Sequence, residues 1–227
     1  MTNDMSGPIA STPRRARLRN PVSGLTHLGG AIAAVFGSTA LLILGGSGRA
    51  RVISLLVYGL SLVITFGASA AYHLVNAGPR VVENLRKLDH SAIFLLIAGT
   101  YTPFSVIAFT GFFHWGLLAV LWVIALAGIS VKAVTVRGPR WLTAGIYVVM
   151  GWLGVSAAGQ MTAALPASVL VWMIAGGVIY TLGAVVYATK IMDFVPGKFG
   201  FHEVWHLFVL MGALAHFIAV LDLVTRG

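Results

Sequence analysis

The fold class predicted by the sequence is an all-α membrane protein, a seven-transmembrane-helix bundle with a cytoplasmic N-terminus and an external C-terminus. Three observations predict it. First, 58% of the 227 residues are apolar and 9% are charged, with a mean hydropathy of +0.92, which no ordinary soluble domain matches. Second, seven apolar stretches reach the roughly 20 residues needed to cross a hydrocarbon core. Third, twelve basic residues fall on one set of connections. They are Arg14, Arg15, Arg17 and Arg19 in the tail, then Arg80, Arg86, Lys87, Lys132, Arg137, Arg140, Lys190 and Lys198. The opposite side carries Arg49, Arg51 and Arg226, so the positive-inside rule places the N-terminus in the cytoplasm. The net charge of +9 then reports topology and attraction to anionic lipid, and nucleic acid is not an expected partner.

In chain order, residues 1–20 are polar, carry Pro8, Pro13 and the arginine run, and are expected to form a disordered basic cytoplasmic tail. The Arg14-Arg15 pair also opens twin-arginine export signals, but the next segment is long enough to stay in the membrane. Residues 21–227 form the seven-helix domain. Its spans are expected at 22–44, 52–75, 88–109, 112–131, 141–160, 167–189 and 202–224. On the first, Gly29, Ala33 and Gly37 recur every four residues and predict a smooth face for a neighbouring helix. The second ends with Ser69 and His73 one turn apart. The third opens with Asp89 and contains Pro103, which removes a backbone donor and predicts a kink. The seventh opens with His202 and His206.

That histidine pair is the most informative local feature. An ionisable side chain costs about 2.5 to 3.5 kcal/mol at the centre of a membrane helix on insertion scales, so a pair near a helix end needs a reason. At i and i+4 both imidazoles leave the same helix face and can share one ion. The chain has no cysteine, which leaves imidazole and carboxylate as ligands. Alternating topology places His73, Asp89, His202 and His206 in one layer at the cytoplasmic side. Three neutral imidazoles plus an open position form the ligand set of a catalytic zinc (Zn2+) site. Asp89 is either a fourth ligand or, as preferred here, an outer-shell group that orients a metal-activated water and accepts its proton. The Ser69 hydroxyl steadies a ligand or binds a substrate carbonyl; the bland alternative is a bond to its own helix backbone.

The other histidines carry weaker signals. An interfacial or helix-bonded role is the commoner fate for His27, with the outer shell of the site as the alternative. His90 is expected to point about 100° away from Asp89, His114 to be solvated at the external boundary, and His216 to bond another helix. Asp222 and Arg226 read as an interfacial pair. His202-Glu203-Val-Trp-His206 also satisfies H-E-x-x-H, the zinc-protease pattern. The favoured reading of Glu203 is a carboxylate at a helix N-terminus.

Three motifs in order carry a family resemblance: Ser69-Ala-Ala-Tyr-His73, then Leu88-Asp89-His90 continuing into Ile97-Ala-Gly-Thr-Tyr-Thr-Pro103, then His202-Glu-Val-Trp-His206. Across residues 21–224 the chain resembles the bacterial hemolysin III family, which is related to the progestin and adipoQ receptors and more distantly to alkaline ceramidases. The resemblance implies an N-in bundle in the bacterial plasma membrane, with zinc on His73, His202 and His206. It also implies hydrolysis of a ceramide-like or other acyl lipid, with the chain inside the bundle. The hemolysin name implies cytolysis instead. The leading expectation is therefore a zinc-dependent hydrolase of a lipid amide or ester. The alternatives are a pore-forming protein with structural zinc, or a lipid-sensing protein.

Overall fold

Inside a bilayer every backbone donor and acceptor must be satisfied within the chain, which restricts a sequence this apolar to helices or a closed barrel. The computed structural model describes residues 18–195 and 199–226 and takes the helical solution, with seven spans long and apolar enough to cross a membrane. Its helices are α1 (Pro21–Leu44), α2 (Arg49–Leu74), α3 (Pro79–Ala108), α4 (Gly111–Val134), α5 (Arg140–Trp152), α6 (Ala158–Ala164), α7 (Ala167–Thr189) and α8 (Phe201–Arg226). The fifth span is composite: α5 and α6 are joined by a 3-10 turn at Leu153–Ala157. Residues 1–17, with the arginine run through Arg17, lie outside the described residues, as does Lys198.

Local chemistry sets the ends. Pro21 and Pro79 open α1 and α3, where a missing N–H costs nothing. Lys190 closes α7 in the left-handed region at φ 61°. The third helix starts nine residues before the expected 88. Hydropathy finds only its apolar part, and the charged turns with Arg80, Glu83, Arg86 and Lys87 continue the same helix.

Two expectations need correction. The fifth span was expected to be continuous over 141–160, yet its α-helical ladder breaks after Trp152. The cause is a side chain from α3. Tyr101 Oη donates to the Gly151 carbonyl and accepts from Gly154 N at 2.8 Å, replacing ladder bonds with its own. On α1, Gly29 and Ala33 are exposed, and packing runs one residue further on. A Cβ on Gly30 would meet Leu210 Cδ2 at 2.6 Å, and Ala34 is buried. A strict four-residue spacing drifts by about 40° per step around a 3.6-residue helix, so Gly29 and Gly37 do not share a line. Gly37 does pack, with a Cβ position 2.8 Å from the Phe217 ring.

The spans form a ring in which α1, α2, α3, α5, α7 and α8 each touch the next and α8 returns to α1, while α4 packs outside on α3. Thr65 Oγ1 donates to the Ala92 carbonyl at 2.9 Å, tying α2 to α3. At the far end, Asp222 pairs with Arg226 as expected and also accepts from Ser168 on α7. The ring leaves an interior space between α3, α5, α7 and α8, and the candidate site opens into it.

Candidate metal centre

The site begins where α1 and α2 approach closely. A Cβ on Gly24 would fall 2.4 Å from Leu74 Cδ2 and 3.3 Å from His73 Cβ, so glycine lets the two helices meet at this depth without displacing Leu74. His73 is 1% exposed, in the last turn of α2. Its carbonyl accepts from Asn20 N at 2.9 Å, and its Nδ1 lies 3.3 Å from Asn20 Nδ2. Its Nε2 is buried and has no hydrogen-bond partner.

From α8, His202 and His206 present Nε2 atoms 3.1 Å apart. Ligand atoms of His73, His202 and His206 all lie within 4.8 Å of one another, and the His73 ring centroid is 5.2 and 4.6 Å from the other two. Two nitrogens on one tetrahedral zinc, each at 2.0–2.1 Å, would sit about 3.3 Å apart. The donor set therefore fits a metal ion. A partnerless imidazole nitrogen aimed at two others, in a buried setting, is what an ion would satisfy.

His27 on α1 proves to be part of this cluster. Its Nε2 lies 2.9 Å from His206 Nδ1 and 3.2 Å from the His206 carbonyl, and the two ring centroids are 4.2 Å apart. It touches His206 on the side away from His202, where an outer-shell partner fixes the tautomer and orientation of a ligand. The expected interfacial role is thus replaced by a contact with a candidate ligand, His206. Glu203 behaves as the helix-end reading holds. Its Oε2 accepts from Gly200 N at 3.0 Å and its Oε1 accepts from Ser23 Oγ at 3.2 Å, and it is not among the clustered ligands.

Asp89 and Ser69 line a cavity of about 320 Å³ together with His27, His202 and His206. Asp89 stands outside the group of mutually close ligand atoms. Ser69 Oγ is buried with no partner, which removes the bond to its own helix backbone as its explanation. His90 lines the same cavity as Asp89. Beyond Ile93, Tyr147, Trp205 and Val209, which line both, lies a second chamber of about 150 Å³ walled almost wholly by apolar groups. His216 lines that chamber. Its Nδ1 pairs with the Gly212 carbonyl of its own helix at 2.8 Å and its ring stacks on Tyr180, so the expected bond to another helix is not made. His114 is half-buried and pairs through Nδ1 with the Phe109 carbonyl at 2.9 Å.

Residues 16–217, most of the chain, match the family described as Haemolysin-III related. The chain belongs to the haemolysin-III family. It is 36% identical over 207 residues to Hemolysin-3 of Bacillus cereus, covering 88% of this chain and 89% of that protein. It is 34% identical over 170 residues to the Hemolysin-3 homolog of Bacillus subtilis (strain 168), covering 75% and 76%. Similarity extends to the Adiponectin receptor protein of Drosophila melanogaster, 28% identical over 221 residues, which cover 87% of this chain and 49% of that one. Family membership and the seven apolar spans make this haemolysin-III chain a multi-pass membrane protein.

Sequence reasoning undervalued four residues of the site. Asn20 was assigned to the tail, His27 to the interface, and Arg86 and Arg140 to topology alone. Both arginines line the cavity. For His27 a signal existed: seven residues into its span, it sits at the same depth as the chosen four.

Proposed function

We propose that this haemolysin-III protein is a zinc-dependent hydrolase of a membrane acyl lipid, cleaving an amide or ester bond at its cytoplasmic side. The observation that carries the reading is a three-histidine cluster, two of whose members, His202 and His206, line a polar cavity with an apolar chamber behind it. A bond-breaking site on a lipid needs those parts in that order. His73, His202 and His206 would hold the ion, which when bound would acidify a water and polarise a carbonyl.

The remaining work falls to side chains of the chain itself. Asp89 orients the attacking water, takes its proton and passes it to the departing nitrogen or oxygen. The water oxygen joins the carbonyl carbon as the C–N or C–O bond breaks, so a fatty acid and a free amine or alcohol leave. Ser69 holds the carbonyl oxygen with its otherwise unpartnered hydroxyl. The acyl chain lies beyond Tyr147 and Trp205 in the apolar chamber, away from bulk water.

The hemolysin names of the Bacillus relatives favour a second reading, a cytolytic pore with structural metal. A conducting path calls for polar groups through the whole bilayer depth, and the inner chamber of this bundle is apolar. The deciding experiment uses the purified full chain in liposomes with fluorescent ceramides and other acyl lipids. Metal-dependent fatty-acid release, lost in Asp89→Ala while zinc stays bound, is the expected result. Conductance with no lipid turnover would overturn the hydrolase.

A further inference from the structure

The basic residues around the cavity are arranged along its axis. On α3, Arg86 and Asp89 precede Ile93; on α5, Arg140 and Thr143 precede Tyr147; on α8, His202 and His206 precede Val209. In each helix seven residues, about 10 Å, separate the outermost of these groups from a residue shared with the apolar chamber. The space therefore runs from a layer that holds Arg86, Arg140 and His202, past Asp89 and His206 about one turn deeper, into apolar walls.

The rim is short of negative charge. Among the lining residues Arg86 and Arg140 face one carboxylate, Asp89. Arg140 has no carboxylate partner among the described residues. Its guanidinium carbon lies 5.2 Å from the Phe201 ring centroid and 5.8 Å from that of Tyr187. Arg86 meets Glu83 at 3.9 Å, a loose contact on a half-exposed helix face. A third cation stands behind the wall, where Lys132 Nζ donates to Thr143 Oγ1 at 3.0 Å. A divalent ion on the histidines adds to this excess. With a neutral headgroup, Arg140 would meet only water and Arg86 only its loose Glu83 contact at the mouth.

Resting on the hydrolase reading, we infer that the substrate is an acyl lipid with a phosphate-bearing headgroup, its phosphate held between Arg86 and Arg140 and its chain in the apolar chamber. The order of the walls decides against a carboxylate as the rim's ligand. The fatty-acid carboxylate forms beside Asp89 and His206, about one turn deeper than Arg86 and Arg140, and the part beyond the scissile bond must lie on the arginine side. Guanidinium forks bind phosphate oxygens in bidentate fashion, which makes a phosphate the fitting anion. Positive-inside topology alone explains basic residues on this side but not their lining the cavity. Arg80 and Lys87 share the side and do not line it.

Ether lipids, which no amide or ester hydrolase cleaves, provide the test. A 1-O-alkyl glycerol 3-phosphate and the matching 1-O-alkyl glycerol are titrated against the zinc-loaded full chain in non-ionic micelles, read by the fluorescence of its tryptophans, of which Trp205 lines both chambers. The phosphate lipid should bind about a hundredfold more tightly, about tenfold for each arginine. Arg86→Gln and Arg140→Gln should each lose about tenfold of that preference, as one charge-assisted pair commands. The control Arg80→Gln/Lys87→Gln should keep it. Equal binding of the two lipids, or a preference that survives loss of both rim arginines, would overturn the assignment. Displacement by sodium phosphate at the lipid's own concentration would assign the rim to a free anion and overturn it as well. Phosphate preference without turnover of any acyl lipid supports the headgroup site while removing the hydrolase. Turnover of neutral lipids with no preference does the reverse.

Discussion

Replacing His27 with phenylalanine removes two ring nitrogens while keeping an aromatic ring against Phe66, whose centroid lies 5.2 Å from that of His27. The loss falls on His206. Its Nδ1 is 2.9 Å from His27 Nε2, and the residue is 4% exposed, so the partner is lost at a buried position. Losing an outer-shell partner of a metal-bound imidazole typically weakens metal affinity 10- to 100-fold, about 1.4 to 2.7 kcal/mol. An orphaned buried donor costs about 1 to 3 kcal/mol, the same range by an independent route. The assay is competition for zinc between detergent-purified His27→Phe and a chromophoric chelator. His90→Phe serves as the comparison, because His90 lines the cavity without touching a ligand. His27→Phe should fall 10- to 100-fold while His90→Phe stays within about threefold. Both variants within threefold of wild type, with unchanged melting, would refute the outer-shell role of His27.

Other perturbations reach different parts of the structure. Thr65→Val keeps the side-chain shape but deletes the bond to the Ala92 carbonyl; a loss of about 0.6 kcal/mol, and no more than about 1.7, is expected in detergent-denaturation titrations. Gly24→Leu fills the space held by Leu74 and His73 Cβ, so metal content should drop sharply even where the purified chain remains helical by circular dichroism. Ala184→Phe places a ring in the apolar chamber; release of long acyl chains should fall at least about tenfold while short-chain substrates are retained, and equal loss for both would contradict the chamber's role.

Much of the fold was legible because hydropathy and charge bias act on each segment separately. Seven spans follow from the requirement that each cross the bilayer, and the expected bounds miss only the charged start of α3 and the break in the fifth span. That break is made with Tyr101 from another helix, and although Gly151 and Gly154 weaken the helix there, nothing in the sequence shows that Tyr101 would reach them. The ligand histidines were legible for a different reason. A four-residue spacing fixes His202 and His206 on one face, and alternating topology brings His73 to their depth. Depth says nothing about which helices are neighbours. Contact between α1 and α8 therefore stayed hidden, and with it the place of His27 beside His206. Arg86 and Arg140 were masked by a strong competing explanation, since topology alone calls for arginine on that side.

Metal content of four purified proteins, the wild type and His73→Ala, His202→Ala and His206→Ala, tests the shared centre most directly. One zinc per wild-type chain and a large loss in every variant is the predicted outcome, because nitrogens from α2 and α8 lie close enough to share a single ion. Full occupancy in any one of the three variants would contradict it, and a metal-free wild type that still cleaves acyl lipids would contradict the chemistry drawn from it.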